Sequence, residues 1–413
     1  MNILFLTLID FNSLKEPGIY QDLLYEFIKN GHNVCVISPV EKRTGRETEV
    51  IKEKNSTILK LKIGNVQKTN LIEKGISTIT LESIFIKGIK KYFSKIKFDL
   101  VMYSTPPITF CKAINYVKKR DDSKTYLLLK DIFPQNAVDI GLMSTTGFKS
   151  LIHKFFRKKE KQLYALSDYI GCMSQANVNY VIKHNSEVNP KIVEICPNCI
   201  AGRDMRVNYE TRNIMRKKYG IPLEKKVFVY GGNLGKPQGI AFLIECLKKS
   251  RNWGEAFFLI IGDGTEYEVL EKYFKSNVQE NMKLMKRLPK EDYDCMVAAC
   301  DVGMIFLDYR FTIPNFPSRL LSYMQAGLPV LACTDSNTDV GEIIVNEGFG
   351  WWCKSDSVEA FGEKVKEICQ SNLKLMGEKS YRHLIENYSS EEGYKIIMKH
   401  FVKKKEGSEK NNY

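Results

Sequence analysis

The chain has 413 residues, 44% hydrophobic and 27% charged, with 62 Lys and Arg against 48 Asp and Glu, a formal charge of +14. That composition is that of a soluble globular protein and excludes a disordered or fibrous chain; the length exceeds one ordinary core, so two domains of roughly 200 residues are expected. No stretch approaches the ~20 apolar residues that a bilayer span needs, and eleven singly scattered cysteines suit a reduced cytosol, not a disulfide-stapled secreted protein.

In chain order, the apolar start from Met1 to Phe11 lacks a basic leader and meets Asp10, so it reads as a first strand, not a signal peptide. Strands are expected at Ile3–Thr7, Asn33–Ser38, Thr57–Ile63, Asp99–Ser104, Thr125–Lys130, Tyr169–Met173 and Ile192–Cys196. Helical patterns lie between several of them, at Ile19–Lys29 before Gly31 and at Ile84–Lys95 with Phe85, Ile89, Tyr92, Phe93 and Ile96 recurring. A polar, turn-rich linker covers Pro197 to Val207, and the pattern then restarts. A helix at Tyr209–Lys218 precedes strands at Val227–Tyr230, Phe257–Ile261, Lys283–Met285, Val302–Phe306 and Val330–Ala332. Strand–helix alternation of this kind predicts two doubly wound, Rossmann-like α/β domains with parallel sheets facing a central cleft. We expect the domains at 1–198 and 206–389, a final helix at 390–403 returning to the first domain, and a disordered tail over 404–413.

The charge is unevenly placed. Residues 1–200 hold 30 basic and 19 acidic residues, and residues 201–413 hold 32 and 29. Within the first half the helical stretch Leu151–Leu166 sets Ile152, Phe155, Phe156, Leu163 and Leu166 at helical spacing beside Lys154, Arg157, Lys158 and Lys161. Phe85–Ile96 does the same beside Lys87, Lys90, Lys91 and Lys95. Two readings stay open: core helices with solvated basic faces, or peripheral attachment of Lys87, Lys90, Lys91, Arg157 and Lys158 to anionic lipid. No aromatic-rich basic module that would read a nucleic acid is present.

In open α/β sheets ligands bind beyond the carboxyl ends of the strands, and two glycine- or proline-marked segments fall there. Tyr230-Gly231-Gly232-Asn233-Leu234-Gly235-Lys236-Pro237-Gln238-Gly239 joins a strand to a helix, where glycines permit close backbone approach and the helix start offers free N–H groups to an anion. Phe316-Pro317-Ser318-Arg319-Leu320-Leu321-Ser322 opens a second helix, with Ser318 expected to cap it and Arg319 to face an anion. On local physics alone the first is equally an ordinary strand-to-helix turn, and the second a buried helix before a strand with Arg319 on the surface. Neither has the dinucleotide or P-loop spacing.

The two segments, about 80 residues apart with Gly262-Asp263-Gly264 between them, resemble the donor site of glycosyltransferase family 4, of GT-B fold. Pro17-Gly18 followed by Gly31-His32-Asn33-Val34 resembles its first-domain glycine loop and strand entry, and Lys130-Asp131-Ile132-Phe133-Pro134 the Asp-x-x-Pro of a bacterial surface-polysaccharide branch. The resemblance implies a retaining, metal-independent hexosyl- or N-acetylhexosaminyltransferase. It would move a sugar from a nucleotide-diphosphate donor, UDP-linked, to a lipid-linked acceptor in capsule or surface-polysaccharide assembly, at the inner face of the cell membrane, without a further cofactor. By position Gly18, Gly232, Asn233, Lys236, Gln238, Gly262, Ser318, Arg319 and Ser322 would surround the donor, and Asp131 is the nearest polar candidate for the catalytic position that the family gives to His. The family's Glu-x7-Glu pair falls on Pro314 and Ser322, so both acids are absent. That departure motivates the alternative of a catalytically inactive scaffold binding a partner transferase or membrane.

Four other signals are read as structural. His32 marks a helix-to-strand passage; Cys196-Pro197-Asn198-Cys199 follows a strand instead of opening a helix; Asp292-Tyr293-Asp294 suits a helix's first turn; and Trp351-Trp352 suits core or cleft wall.

Overall fold

A computed structural model describes residues 1–66, 71–147, 150–250, 253–277 and 279–401. The tail expected over 404–413 and positions 402–403 of the expected final helix lie outside the described residues; the helix itself ends at Met398, short of the expected 403. The first sheet is built from β1 (Asn2–Leu6), β2 (Asn33–Glu41), β3 (Glu49–Glu53), β4 (Ser56–Ile63), β5 (Leu100–Ser104), β6 (Lys124–Leu129), β7 (Tyr169–Cys172) and β8 (Val193–Ile195). Their spatial order is β3-β4-β2-β1-β5-β6-β7-β8. The second holds β9 (Lys226–Asn233), β10 (Ala256–Asp263), β11 (Met282–Met285), β12 (Val302–Phe306), β13 (Val330–Thr334) and β14 (Gly350–Lys354), in the order β11-β10-β9-β12-β13-β14.

Every described ladder is parallel except β3 with β4. A parallel sheet must be covered on both faces, which is why its strands are apolar at successive positions and not at alternate ones. Residues Ile3 to Leu6 are all fully buried, but they divide between two cores: Leu4 and Leu6 pack with Phe85, Ile114 and Leu163 on one face, Ile3 and Phe5 with Leu24 and Phe27 on the other. β10 divides likewise, with Phe257, Leu259 and Ile261 on one face and Phe258 and Ile260 on the other. The sequence pattern missed β3, whose Glu49-Val50-Ile51-Lys52-Glu53 mixes charge into an edge strand paired antiparallel to β4. The helix expected at Ile84–Lys95 starts earlier and spans Leu71–Tyr92, with Phe85 and Ile89 in the core and Lys87, Lys90 and Lys91 exposed.

The last described helix, Ser390–Met398, lies against Ile19–Lys29 of the first sheet's layer. Ile397 enters the core beside Leu23 and Phe27, and His32 Nε2 lies 3.0 Å from Tyr394 Oη. His32 is thus a packing residue. Cys196 and Cys199 are both buried, and burial pushes the Cys199 thiol up to about 12.

The two halves also meet through a small apolar cluster, Ile132 and Ile140 against Phe311 and Ile313. Hydrogen bonds flank it: Asn177 Nδ2 donates to the Pro314 carbonyl at 2.7 Å, the Ala176 N–H to Asp339 at 2.9 Å, and the Thr312 N–H to Asp139 at 2.7 Å. These contacts set the spacing of the cleft.

Arg216 anchors the second half. It is fully buried, and its guanidinium donates to Asp301 (2.6 Å) and to the carbonyls of Ala299 (2.8 Å) and Lys225 (3.1 Å). Asp301 also takes the Val227 N–H at 2.7 Å, which ties the helix Tyr209–Lys218 to the start of β9. Removing one partner of a buried pair leaves a charge without compensation, typically ~3–5 kcal/mol. Arg216→Leu is therefore expected to lower the second half's stability by roughly that amount. Trp253, Trp351 and Trp352, the chain's three tryptophans, all lie in that half, so denaturant unfolding followed by their fluorescence reads the change directly.

Candidate functional site

Three adjoining cavities run along the cleft, of about 610, 490 and 420 Å³. The largest is lined from the first half by Pro17, Gly18 and Asp22, and from the second by Gly232, Asn233, Gln238, Ser318, Arg319 and Ser322. The second shares Gly232, Asn233, Lys290 and Tyr293 with it and adds Gly262, Asp263 and Gly264. The third shares Gln238, Phe316 and Pro317 and adds Lys130, Asp131, Phe133 and Asn136. Nine of the ten residues singled out as donor-binding or catalytic in the sequence therefore line one connected cleft. Lys236 is the tenth; it is exposed on a 3-10 turn, Lys236–Gln238, and lines none of the three.

The glycines serve close approach. Gly232 takes φ +117°, where a side chain is disfavoured, and a Cβ on Gly262 would lie 2.0 Å from the Gly232 carbonyl oxygen across the β9–β10 ladder. Gly18 is extended and needs no such freedom. Beyond these turns the side chains interlock. The Arg319 guanidinium stacks on Tyr230, 4.1 Å to the ring centroid, and its Nη2 donates to Gln238 Oε1 at 2.9 Å. Tyr230 Oη lies 2.9 Å from the Asn233 carbonyl and 3.2 Å from Gln238 Oε1. Arg319 Nη1 is buried and has no hydrogen-bond partner among the described residues. A buried guanidinium N–H left unpaired is costly. Arg319 as a residue lines the largest cavity, and its Nη2 lies 3.8 Å from where a Cβ on Gly232 would stand, which sets a fixed positive charge beside glycine backbone.

Ser318 departs from its expected role. It precedes the helix Arg319–Gln325 but makes no capping bond; its Oγ accepts from Asn198 Nδ2 at 3.1 Å, so it ties the linker to the helix start. The linker is held further by Ala201, whose N–H donates to Asp22 (3.0 Å) and whose carbonyl accepts from Gln325 Nε2 (2.9 Å). Asp292 sits in the first turn of the helix Lys290–Ala298, where the dipole favours an acid, and pairs with Lys218; Asp294 lies past that turn, against the expectation, and pairs with Lys290. Among the described residues no group of three His, Cys, Asp or Glu could hold a metal ion.

Asp131 stands at the end of β6, held by two hydrogen bonds from Asn136 Nδ2, each 2.7 Å. Burial raises its carboxyl to about 6. Lys130, beside it, donates to the Cys196 carbonyl at 3.1 Å, and burial lowers its pKa. Tyr230, Tyr293, Asn198 and Arg203 also line or brace the cleft and were not singled out in the sequence. Tyr230 adjoins the glycine pair, and Asn198 and Tyr293 fall in segments read as structural; Arg203 gave no signal, because its neighbours in the cleft are distant in sequence.

The basic residues fall in one helical layer. Leu71–Tyr92, Cys111–Asp121 and Ser150–Leu166 cover the same face of the first sheet. Lys90 lies 5.2 Å over Tyr116, and Lys87, Lys91 and Lys158 are exposed. Arg157 is different: it donates to the His184 carbonyl (2.9 Å) and Asn185 Oδ1 (2.7 Å) and pairs with Glu160, so its charge is spent inside the fold.

A raised carboxyl pKa has a definite sign in stability. Between the unfolded value near 4 and about 6 the folded state holds the Asp131 proton and the unfolded state does not, so stability falls as pH rises through that window. Asp131→Asn should remove this contribution, flattening Tm between pH 4 and 6 relative to the parent protein. An unchanged slope would contradict the assignment.

Residues 211–390 match the family model described as glycosyl transferases group 1. The chain is 24% identical over 326 residues to a probable glycosyltransferase, WbjE, of Pseudomonas aeruginosa, covering 78% of each chain. It is 22% identical over 267 residues to the putative colanic acid biosynthesis glycosyl transferase WcaI of Escherichia coli K12, covering 63% of this chain and 64% of that one. Among solved structures, sucrose-phosphate synthase from Thermosynechococcus elongatus superposes with a TM-score of 0.75 at 12% identity, covering 97% and 98% of the two chains. Anabaena HepE in complex with UDP-glucose superposes with a TM-score of 0.67 at 14% identity over 97% and 99%. The chain has the GT-B fold, and its residues 211–390 match the glycosyl transferases group 1 model.

Proposed function

We propose that this protein is a retaining glycosyltransferase of surface-polysaccharide or capsule assembly. It would move a hexosyl or N-acetylhexosaminyl group from a UDP-linked sugar to a lipid-linked acceptor at the inner face of the membrane. The observation that carries the reading is the Arg319 guanidinium, held by Tyr230 and Gln238, on the wall of a cavity that Gly18 and Gly232 also line. A diphosphate placed there would receive a charge-assisted bond from Arg319. The solved HepE complex with UDP-glucose and the colanic acid relative support the donor class and the polysaccharide setting.

The chemistry follows from the two ends of the cleft. The bond from sugar C1 to the diphosphate oxygen breaks, and the charge left on the diphosphate is stabilised by Arg319 and by backbone N–H groups. A bond from C1 to the acceptor hydroxyl forms on the same face, and that hydroxyl's proton passes to the Asp131 carboxylate. With its carboxyl near 6, Asp131 is ionised above that pH and still basic enough to take the proton. Gln238, shared by the donor and Asp131 cavities, holds Arg319 in line between them. Lys87, Lys90, Lys91 and Lys158 would face anionic headgroups, each contributing about 1 kcal/mol near the surface.

An inactive scaffold is the second reading, favoured by Pro314 and Ser322 at the positions of the family's two acids. Nucleotide binding separates the two: a thermal shift with UDP supports the enzyme, and none with UDP, GDP or TDP supports the scaffold.

With the right donor and acceptor, nucleotide should be released, and Arg319→Ala should slow that release at least tenfold, about 1.4 kcal/mol of transition-state stabilisation. Lys236→Ala should cost less, because its ammonium is already hydrated. Equal rates in the parent and Arg319→Ala would remove the phosphate assignment. Activity is also expected to survive exhaustive chelation, and its loss with EDTA and recovery with a divalent ion would overturn the metal-independent reading.

A further inference from the structure

We infer that the first two turns of the helix Ser150–Leu166 form an apolar ridge that enters the headgroup layer of an anionic bilayer, leading a membrane-held acceptor toward Asp131. The inference rests on the lipid-acceptor reading above and names the surface that would serve it.

The helix's apolar stripe does not end where the core ends. Ile152 and Leu163 are three turns apart and share one side of the helix. Leu163 is fully buried with Tyr164 and Glu160, whereas Leu151, Ile152 and Phe155 are 57%, 55% and 47% exposed. Ile152 and Phe155, on the stripe whose spacing left a core place open, lie outside, because the helix begins beyond the edge of the core that its second half covers. Three large apolar side chains within two turns are a concentrated patch and not scattered exposure.

The surroundings select the occupant. Lys154 and Lys158 flank the ridge and form no ion pair among the described residues. Behind Phe155 a depression of about 550 Å³ is lined by Lys112 and Lys158, suited to a phosphate headgroup. Apolar residues on one side and lysines on the other are the arrangement of a helix lying in the interface. A second copy of this chain meeting the same face would set lysine against lysine, and an anionic bilayer offers the opposite charge. No helix among the described residues is long and apolar enough to cross a membrane, so the ridge would lie in the interface.

The ridge also connects to the site. Phe155 packs on Phe156 with ring centroids 5.3 Å apart, Phe156 on Phe133 at 5.1 Å, and Phe133 lines the Asp131 cavity. Leu142, 64% exposed, lines that cavity too. Two aromatic contacts thus separate the bilayer face from the catalytic carboxylate, and a saccharide at the surface reaches Asp131 while its lipid stays in the membrane.

The test uses the full chain with vesicles of phosphatidylglycerol and phosphatidylcholine. The double variant Leu151→Asp with Ile152→Asp should bind them at least tenfold more weakly than the parent, with the same Tm and the same thermal shift by UDP. In the separate variant Ile152→Trp, the added indole fluorescence should be quenched by brominated lipid. Undiminished binding of the double variant, absence of parent binding, or no quenching in Ile152→Trp would each overturn the inference. So would a parent dimer in sedimentation that the double variant dissociates, since the ridge would then be a contact between copies. Absence of a UDP shift in the parent would count against the donor reading alone, because vesicle binding is measured without nucleotide.

Discussion

Parallel pairing is the constraint on which the rest depends. A strand that must run parallel to its neighbour needs a crossover, and the crossover returns the chain to the same edge of the sheet every time. All strand ends of one sense therefore gather on one edge, and the connections that follow them become neighbours although they are far apart in sequence. Gly18 after β1, Asp131 after β6, Gly232 at the end of β9, Gly262 at the end of β10 and Arg319 after β12 meet for this reason. Two such sheets set edge to edge leave a cleft with a chemically distinct wall on each side.

The cleft's width is not left to the linker alone. The Ile132–Ile140 and Phe311–Ile313 cluster, with the bonds from Asn177, Ala176 and Thr312, presses the two halves together beside the Asp131 cavity. At the other end Asp22, Ala201 and Gln325 link the linker to both halves. Between these two fastenings lies Arg319, stacked on Tyr230 and oriented by Gln238, with one N–H unpaired. Preorganisation of this kind puts a fixed charge where charge would develop, so little rearrangement is needed when a ligand arrives. The basic helical layer lies on the first half, away from the glycine turns of the second, and so separates the proposed membrane face from the proposed donor seat.

Much of this arrangement can be read along the chain. Short apolar runs separated by helical patterns indicate two parallel sheets, because both faces of such a strand must be dry. The glycine turn at 231–239 and the Pro-Ser-Arg helix start mark strand ends, since close approach and first-turn chemistry leave local residue signals. β3 was not legible, because an edge strand tolerates charge and loses the apolar run that identifies it. Ser318 looked like a helix cap, yet it bonds to Asn198, 120 residues away, a contact that no local pattern encodes.

Local residue choice thus settled the elements, their parallel sense and the positions where a ligand would be approached, all of which depend on neighbours a few residues apart. Only the packed chain decided which charged groups are available. Arg157 and Lys158 are adjacent in sequence and alike in charge, but one is consumed by Glu160, Asn185 and a carbonyl while the other stays exposed. Ile152 and Leu163 share one helical stripe, but only one of them has the sheet beneath it. The reason is the same in both cases: burial and pairing are properties of what lies opposite, and what lies opposite comes from distant parts of the chain.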